Sequence, residues 1–394
     1  MAELAPKLPD GGWTRRADLA GLVRALGPGN TRWVGGAVRD TLLGSPVADI
    51  DAATPLVPHE VVNRLEAAGI RSVPTGIAHG TVTALLEGGK VEITTLRCDV
   101  STDGRRATVA FGSDWRDDAA RRDFTINALY AHPDTLTIED YFGGLADLAA
   151  RRVRFIGDAR QRIREDHLRI LRYYRFQARF GSGLDLEAEA ACAELASTLQ
   201  GLSRERVGWE LLNLLALPDP SATVARMQAR GVLPVVLPEA GEAGVARLAA
   251  LIAQEAAQGV APDPIRRLAA LLPAEPRTAE QAASRLRLSV AQRKRLAAAA
   301  DRAGPEAAPH ALAYRLGSEQ ATDRLLLTGR DISALKTWDI PVFPLKGGAI
   351  VARGVSAGPE VARILHAVEA RWVAEGFPDG ARVAKLLDEE LGAR

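Results

Sequence analysis

Cysteine is scarce: only Cys98 and Cys192 occur in 394 residues, far apart and outside any metal-ligand spacing. That pattern excludes a disulfide framework and leaves a zinc site without support, as in a reducing compartment. Long hydrophobic runs are missing too, and none approaches the roughly 20 apolar residues that cross a bilayer. Met1 to Asp10 holds two prolines and two acidic residues and no apolar centre, unlike a secretory signal. The expectation is a cytoplasmic protein with no membrane association. Net charge is nearly absent, +1 from 50 basic and 49 acidic residues, so any nucleic-acid surface has to be local. Lysine is rare: six of the 50 basic residues are Lys and 44 are Arg. Arginine carries a planar, always-charged fork suited to phosphates and base edges, although genome composition produces the same bias.

What is present is an ordinary globular balance, 47% hydrophobic and 25% charged, in a chain long enough for two or three units. Between about 31 and 155, short β-type runs alternate with turns and helical stretches. The runs are Arg32–Val34, Ile50–Ala52, Thr81–Leu86, Val91–Leu96, Thr108–Phe111, Leu136–Ile138 and Val153–Phe155. From Asp158 onward the spacing is helical, with breaks at Leu217–Ser221, Gly259–Pro264, Leu272–Arg277 and Gly304–Pro309. No solenoid-period repeat is visible. The expected fold is a mixed α and β head of about 150 residues followed by a helical remainder.

Chemistry concentrates in the head and the helix after it. Trp33 to Asp40 runs strand, glycine turn, helix start, and Gly35 and Gly36 let the backbone approach a ligand closely. Arg39 lies one turn further on, placed to grip phosphate. Taken alone, such a turn is usually just a turn. Thirteen residues after Gly36, Asp49-Ile50-Asp51 puts two carboxylates on one side of an expected strand. Hard divalent cations such as Mg²⁺ take one or two carboxylates plus water and substrate phosphate. Glu92, between Val91 and Ile93, is the candidate third carboxylate, although half-exposed strand glutamates are common.

Gly35-Gly36-Ala37-Val38-Arg39-Asp40-Thr41-Leu42-Leu43-Gly44 followed by Asp49-Ile50-Asp51 resembles motif A of the class II tRNA nucleotidyltransferase and poly(A) polymerase family. Arg121 to Leu129 resembles motif B, Asp140 to Leu148 motif C, and Glu165-Asp166-His167-Leu168-Arg169 with Arg172 and Arg175 motif D. A weaker match follows at Gly354 to Leu365. The resemblance implies an α+β protein with a polymerase-β-like head at 1–150 followed by an all-helical neck at 151–217 and body and tail at 218–394. It implies Asp49, Asp51 and Glu92 as catalytic, with Asp49 and Asp51 on Mg²⁺. It also implies nucleotide contacts from Gly35, Gly36, Arg39, Arg122, Asp123, Asn127, Asp166, Arg169, Arg172 and Arg175. Asp166, Arg169 and Arg172, three apart, are expected on one side of a helix, where a carboxylate and a guanidinium read a base edge. Residues 151–180 hold ten Arg against three acids, and their aromatics Tyr173, Tyr174, Phe176 and Phe180 are expected in the core.

The implied activity is addition of C, C and A to tRNA from CTP and ATP, with the 3′ acceptor end and elbow held by the helical body and no obligate protein partner. Poly(A) synthesis and C-only addition are the alternatives within the family; a silent RNA-binding protein is the rival outside enzymes. Pro74 to Val82 resembles the CCA-adding form of its segment, and a basic C-terminal tail is missing. His79 is expected to be structural. The polar stretch Arg97 to Arg106, containing Asp103, is expected to be the mobile loop that the family uses to move from CTP to ATP. None of the histidines at 59, 79, 132, 167, 310 and 366 precedes an Asp, so the paired His-Asp site of some relatives is not expected.

Overall fold

The computed structural model describes residues 6–77, 80–102, 107–112, 114–302 and 308–392. The chain divides into two compact units, Met1–Leu214 with Ala222–Val236, and Leu215–Ser221 with Leu237–Arg394.

The first unit is built on a seven-stranded sheet. Its strands are β1 (Arg32–Val34), β2 (Ile50–Thr54), β3 (Ser72–Gly76), β4 (Thr81–Leu86) and β5 (Gly89–Thr95), then β8 (Leu129–Ala131) and β9 (Ile138–Asp140). The order is β3-β4-β5-β2-β1-β8-β9; β2 and β5 are parallel and every other pairing is antiparallel. Strands β6 (Arg97–Thr102) and β7 (Ala107–Phe111) make a separate hairpin. Helices α1 (Ala17–Leu26), α2 (Gly36–Leu42), α3 (Pro58–Ala67), α4 (Trp115–Ala120) and α5 (Gly144–Ala149) belong to the same part of the chain. In α1, Leu19, Leu22 and Leu26 recur at three- and four-residue spacing and are fully buried, as are Val61 and Leu65 of α3.

Three sequence expectations change here. Val153–Phe155 is not a strand: Phe155 makes one isolated bridge to Phe124, and its ring packs on Phe124 and Tyr173 instead. Leu136–Ile138 shifts to Ile138–Asp140 because Leu136 takes a left-handed turn conformation, φ 58°. Most of the expected loop at Arg97 to Arg106 pairs as strand β6; Asp103 to Arg106 and His79 lie outside the described residues. Strand β3 was not expected, since it contains Pro74, which a sheet accepts at its edge.

Helices α6 (Ala159–Glu165), α7 (Arg169–Phe180), α8 (Leu186–Glu194), α9 (Arg204–Leu215), α10 (Ser221–Ala229) and α11 (Leu233–Val236) follow. Tyr173, Tyr174, Phe176 and Phe180 are buried on α7, as expected. Among the described residues the elements of the second unit between Gly241 and Gly392 are all helices, and the expected breaks at Pro264, Pro276 and Pro309 each begin one. Glu255, Arg266, Arg267 and Asp323 form a buried ionic network in it. No helix among the described residues is long and apolar enough to cross a membrane.

Candidate active site

Strand β1 ends at Val34, and Gly35 turns the chain into α2 with φ 69°, ψ −123°, a region closed to side-chain-bearing residues. A Cβ on Gly35 would lie 3.6 Å from Arg122 Nη1 and 4.0 Å from Asp51 Oδ2, so this turn forms part of the site wall.

The parallel register of β2 and β5 sets Asp51 opposite Glu92, while Ile50 turns into the core. Asp49 lies one residue before the strand and is exposed; Asp51 is half-buried. Lys90 Nζ stands 3.8 Å from Asp49 and 3.7 Å from Glu92. Burial, then the negative charges of Glu92 and Asp49, push the Asp51 carboxyl above the usual carboxylate range. Among the described residues no three His, Cys, Asp or Glu side chains close on a metal position by themselves. The donor set nonetheless suits a hard cation: oxygen ligands only, with repulsion at Asp51 that a bound cation would relieve.

Motif B lies between α4 and β8, and it is wired to its neighbours. Arg172 Nε and Nη2 donate to Asp123 at 2.8 and 2.5 Å, and Asn127 Nδ2 donates to Asp123 at 3.0 Å. Arg39 Nη1 donates to Asn127 Oδ1 at 2.5 Å, and Arg39 Nε donates to Asp40, which also accepts from Arg179. One chain of hydrogen bonds thus joins motifs A, B and D. Arg39 is only 4% exposed and lies under the rings of Phe176 and Phe180, at 5.3 and 4.4 Å. Its guanidinium bonds Asn127 within the wall of the site. Burial opposes ionisation of Asp123, but the Arg172 guanidinium and the Asn127 amide hold its carboxyl below the usual range. Arg122 donates to Tyr130 Oη at 2.9 Å and to Asp118, and Tyr130 donates to Asp118 at 2.6 Å.

Motif D also departs from expectation. Asp166 ends α6 in an extended conformation, φ −148°, ψ 104°, and α7 starts three residues later. Its Oδ1 accepts from the Leu168 N–H at 3.1 Å, the local side-chain bond that draws Asp out of helices. Asp166 and Arg169 therefore flank a kink and do not share a helix side. Arg169 pairs with Glu165 at 2.7 Å and donates to the Arg121 carbonyl.

A cleft of two lobes gathers these groups. One lobe, about 410 Å³, is lined by Asp51, Glu92, Arg97, Arg121, Asp166, Arg169 and Arg206. The other, about 460 Å³, is lined by Gly35, Gly36, Arg39, Asp49, Arg175, Arg179 and Trp209. Asp51, Arg122, Asp123 and Arg172 line both. All thirteen candidate residues thus line this cleft, Asn127 in the second lobe.

Sequence reasoning missed what α9 brings. Arg206 donates to Asp166 at 2.8 Å, Glu210 accepts from Arg175 at 2.6 Å, and Trp209 is 58% exposed. Only the i, i+3, i+4 spacing of Arg206, Trp209 and Glu210 hinted at a shared face. The cationic excess at 151–180 is also largely offset by Asp123, Asp147, Glu194, Glu210 and Asp40, from elsewhere in the chain.

Residues 31–154 match the model described as "Poly A polymerase head domain", and 183–243 the model described as "Probable RNA and SrmB- binding site of polymerase A". The mitochondrial CCA tRNA nucleotidyltransferase 1 of Mus musculus is 36% identical over 367 residues, 88% of this chain and 83% of the relative. The CCA-adding enzyme of Leuconostoc citreum is 43% identical over 185 residues, 46% of this chain and 45% of the relative. The solved CCA-adding enzyme of Bacillus stearothermophilus in complex with CTP superposes with a TM-score of 0.76 at 26% identity, covering 95% of this chain and 98% of that one. With identity at that level over most of both chains, this protein belongs to the family of CCA-adding tRNA nucleotidyltransferases.

Proposed function

We propose that the chain extends the 3′ end of tRNA by C, C and A, taking CTP and ATP as substrates without a nucleic-acid template. The observation that carries this reading is the cleft itself. The carboxylates Asp51 and Glu92 share a lobe with Asp166 and Arg169, so the phosphate chemistry and a base-edge reader face one space.

In the reaction, the terminal 3′ hydroxyl of tRNA loses its proton to solvent and its oxygen bonds to the α-phosphorus of the nucleotide, while the bond from that phosphorus to the bridging β-phosphate oxygen breaks and pyrophosphate leaves. A divalent cation, Mg²⁺ in this proposal, would be held by Asp49 and Asp51 with Glu92 beside them, supplying Lewis-acid stabilisation of the phosphoryl oxygens. Arg122, fixed by Asp118 and Tyr130, meets the phosphates with Gly35 and Gly36. Asp123 and Asn127 face the sugar and are held by Arg172 and Arg39, both positioning residues. Asp166 accepts from an exocyclic amino group while Arg169 donates to a ring acceptor, a pairing that cytosine and adenine both satisfy. Arg175, tied to Glu210, keeps α7 in place behind them. The segment 1–150 is the catalytic head, 151–217 the neck with the base reader, and 218–394 the body and tail that hold tRNA by its shape.

The test is extension of a tRNA transcript ending at the discriminator base, with Mg²⁺ and with CTP and ATP supplied singly and together. Growth by three nucleotides that needs both triphosphates is the expected result. A stop after two C residues, or a long ladder with ATP alone, would replace this reading with C-only or poly(A) synthesis.

A further inference from the structure

We propose that Trp209 is a stacking platform for a nucleobase near the 3′ end of the RNA being extended. The residue stands on α9, whose buried side is made by Val207, Leu211 and Leu214. Trp209 is on the other side, so the core makes no demand for an indole there. It is 58% exposed and lines the lobe that also holds Gly36, Asp49 and Asp51. An apolar ring of this size, left open among charged groups, has a face available for stacking.

The ring is also held. Arg175 lies 5.8 Å from its centre, and Arg175 is itself fixed by Glu210, the residue after Trp209. Arg175 and Arg179, one turn apart on α7, line the same lobe, each paired with a carboxylate, Glu210 and Asp40, so the indole face and not free charge is what this wall offers a ligand. An exposed aromatic ring binds bases of any sequence through its π-face, as an acceptor-end site serving many tRNAs requires.

The occupant follows from how the two lobes are furnished. Asp166 and Arg169 line one lobe, whereas Trp209 lines only the other. An incoming nucleotide then spans both lobes, its base on Asp166 and Arg169 and its phosphates at Gly35 and Gly36, and the base left for the Trp209 ring is one of the RNA whose 3′ end must reach Asp49 and Asp51. This step rests on the base-reading assignment made above.

The experiment compares full-length wild type with Trp209→Ala, Trp209→Leu and Trp209→Phe. Affinity for a labelled tRNA transcript is measured by fluorescence anisotropy without nucleotide, and KM values for tRNA and CTP are measured in the extension assay. Ala and Leu are expected to weaken tRNA binding and raise the tRNA KM by roughly 5- to 100-fold. The CTP KM should stay within about twofold of wild type, and Phe should restore most of the loss because it keeps a π-face. Unchanged tRNA binding in the Ala variant overturns the proposal, as does a Leu variant equal to Phe or an effect confined to the CTP KM. Asp166→Ala, run in parallel, separates the two readings. If base selection survives that change the base-reader assignment fails, while the nucleotide-free binding data still judge Trp209.

Discussion

Asp51 carries charge that the protein does not neutralise. It faces Glu92 across the parallel strands with Asp49 nearby; the charges of Arg122 and Lys90 offset only part of that repulsion, and Lys90 stands closer to the other two carboxylates. Replacing it by the isosteric amide separates function from folding. Asp51→Asn is expected to lower turnover by about 10³-fold or more, since metal-assisted charge stabilisation contributes several kcal/mol. Thermal unfolding should occur at the same or a higher temperature, because a like-charge repulsion has been removed. Wild-type turnover in this variant would refute the metal assignment. At this scale the sequence was informative about position and less so about role. The spacing from Gly35 to Asp51 and the Arg121 to Asn127 run marked residues that do converge on one cleft. Nothing local showed that Arg39 would be buried on Asn127, 88 positions away, or that Glu210 would hold Arg175.

Elements were legible where the local pattern decides them and shifted where a side chain or a close approach does. The strand Ile50–Thr54 and the helix Arg169–Phe180 follow their apolar periodicity. Asp166 left the expected helix because its carboxylate bonds Leu168 N–H, and Val153–Phe155 gave its apolar side chains to the core without forming a ladder. Motif C shows how tightly one element constrains another. At Gly144, the first residue of α5, a Cβ would lie 2.3 Å from the Thr125 carbonyl oxygen and 2.9 Å from Leu129 Cδ2. The first of these is backbone in the turn that carries Asn127, so it cannot swing aside. Gly144→Ala should therefore destabilise the protein by about 2 kcal/mol, within the usual range for overpacking. It should also lower kcat, because moving Thr125 displaces Asp123 and Asn127. Urea unfolding and steady-state kinetics check both parts, and an unchanged unfolding midpoint would show that the two segments separate freely.

Across the whole molecule, 50 basic and 49 acidic residues nearly cancel, and 44 of the basic residues are arginines that stay charged at any ordinary pH. The balance can then fail readily only from the acid side. In the first unit the buried carboxylates Asp118, Asp123 and Asp147 are all held below the usual range despite burial. Arg122 and Arg121 do this for Asp118, Arg172 for Asp123, and Thr125, Arg154 and Arg152 for Asp147. Each has a folded pKa below its unfolded value, so each contributes stability that is fully present above the unfolded value of about 4. That contribution is lost as pH falls through the depressed folded values, while protonation elsewhere leaves the arginines mutually repelling. Stability against urea should be nearly flat from about pH 6 to 9 and should fall steeply below about pH 4. Asp123→Asn sharpens the test: it should be less stable than wild type at pH 7, where Arg172 loses its ion pair, and the difference should shrink towards pH 3. A difference that stayed constant with pH would mean that the Arg172–Asp123 pair does not couple proton binding to folding.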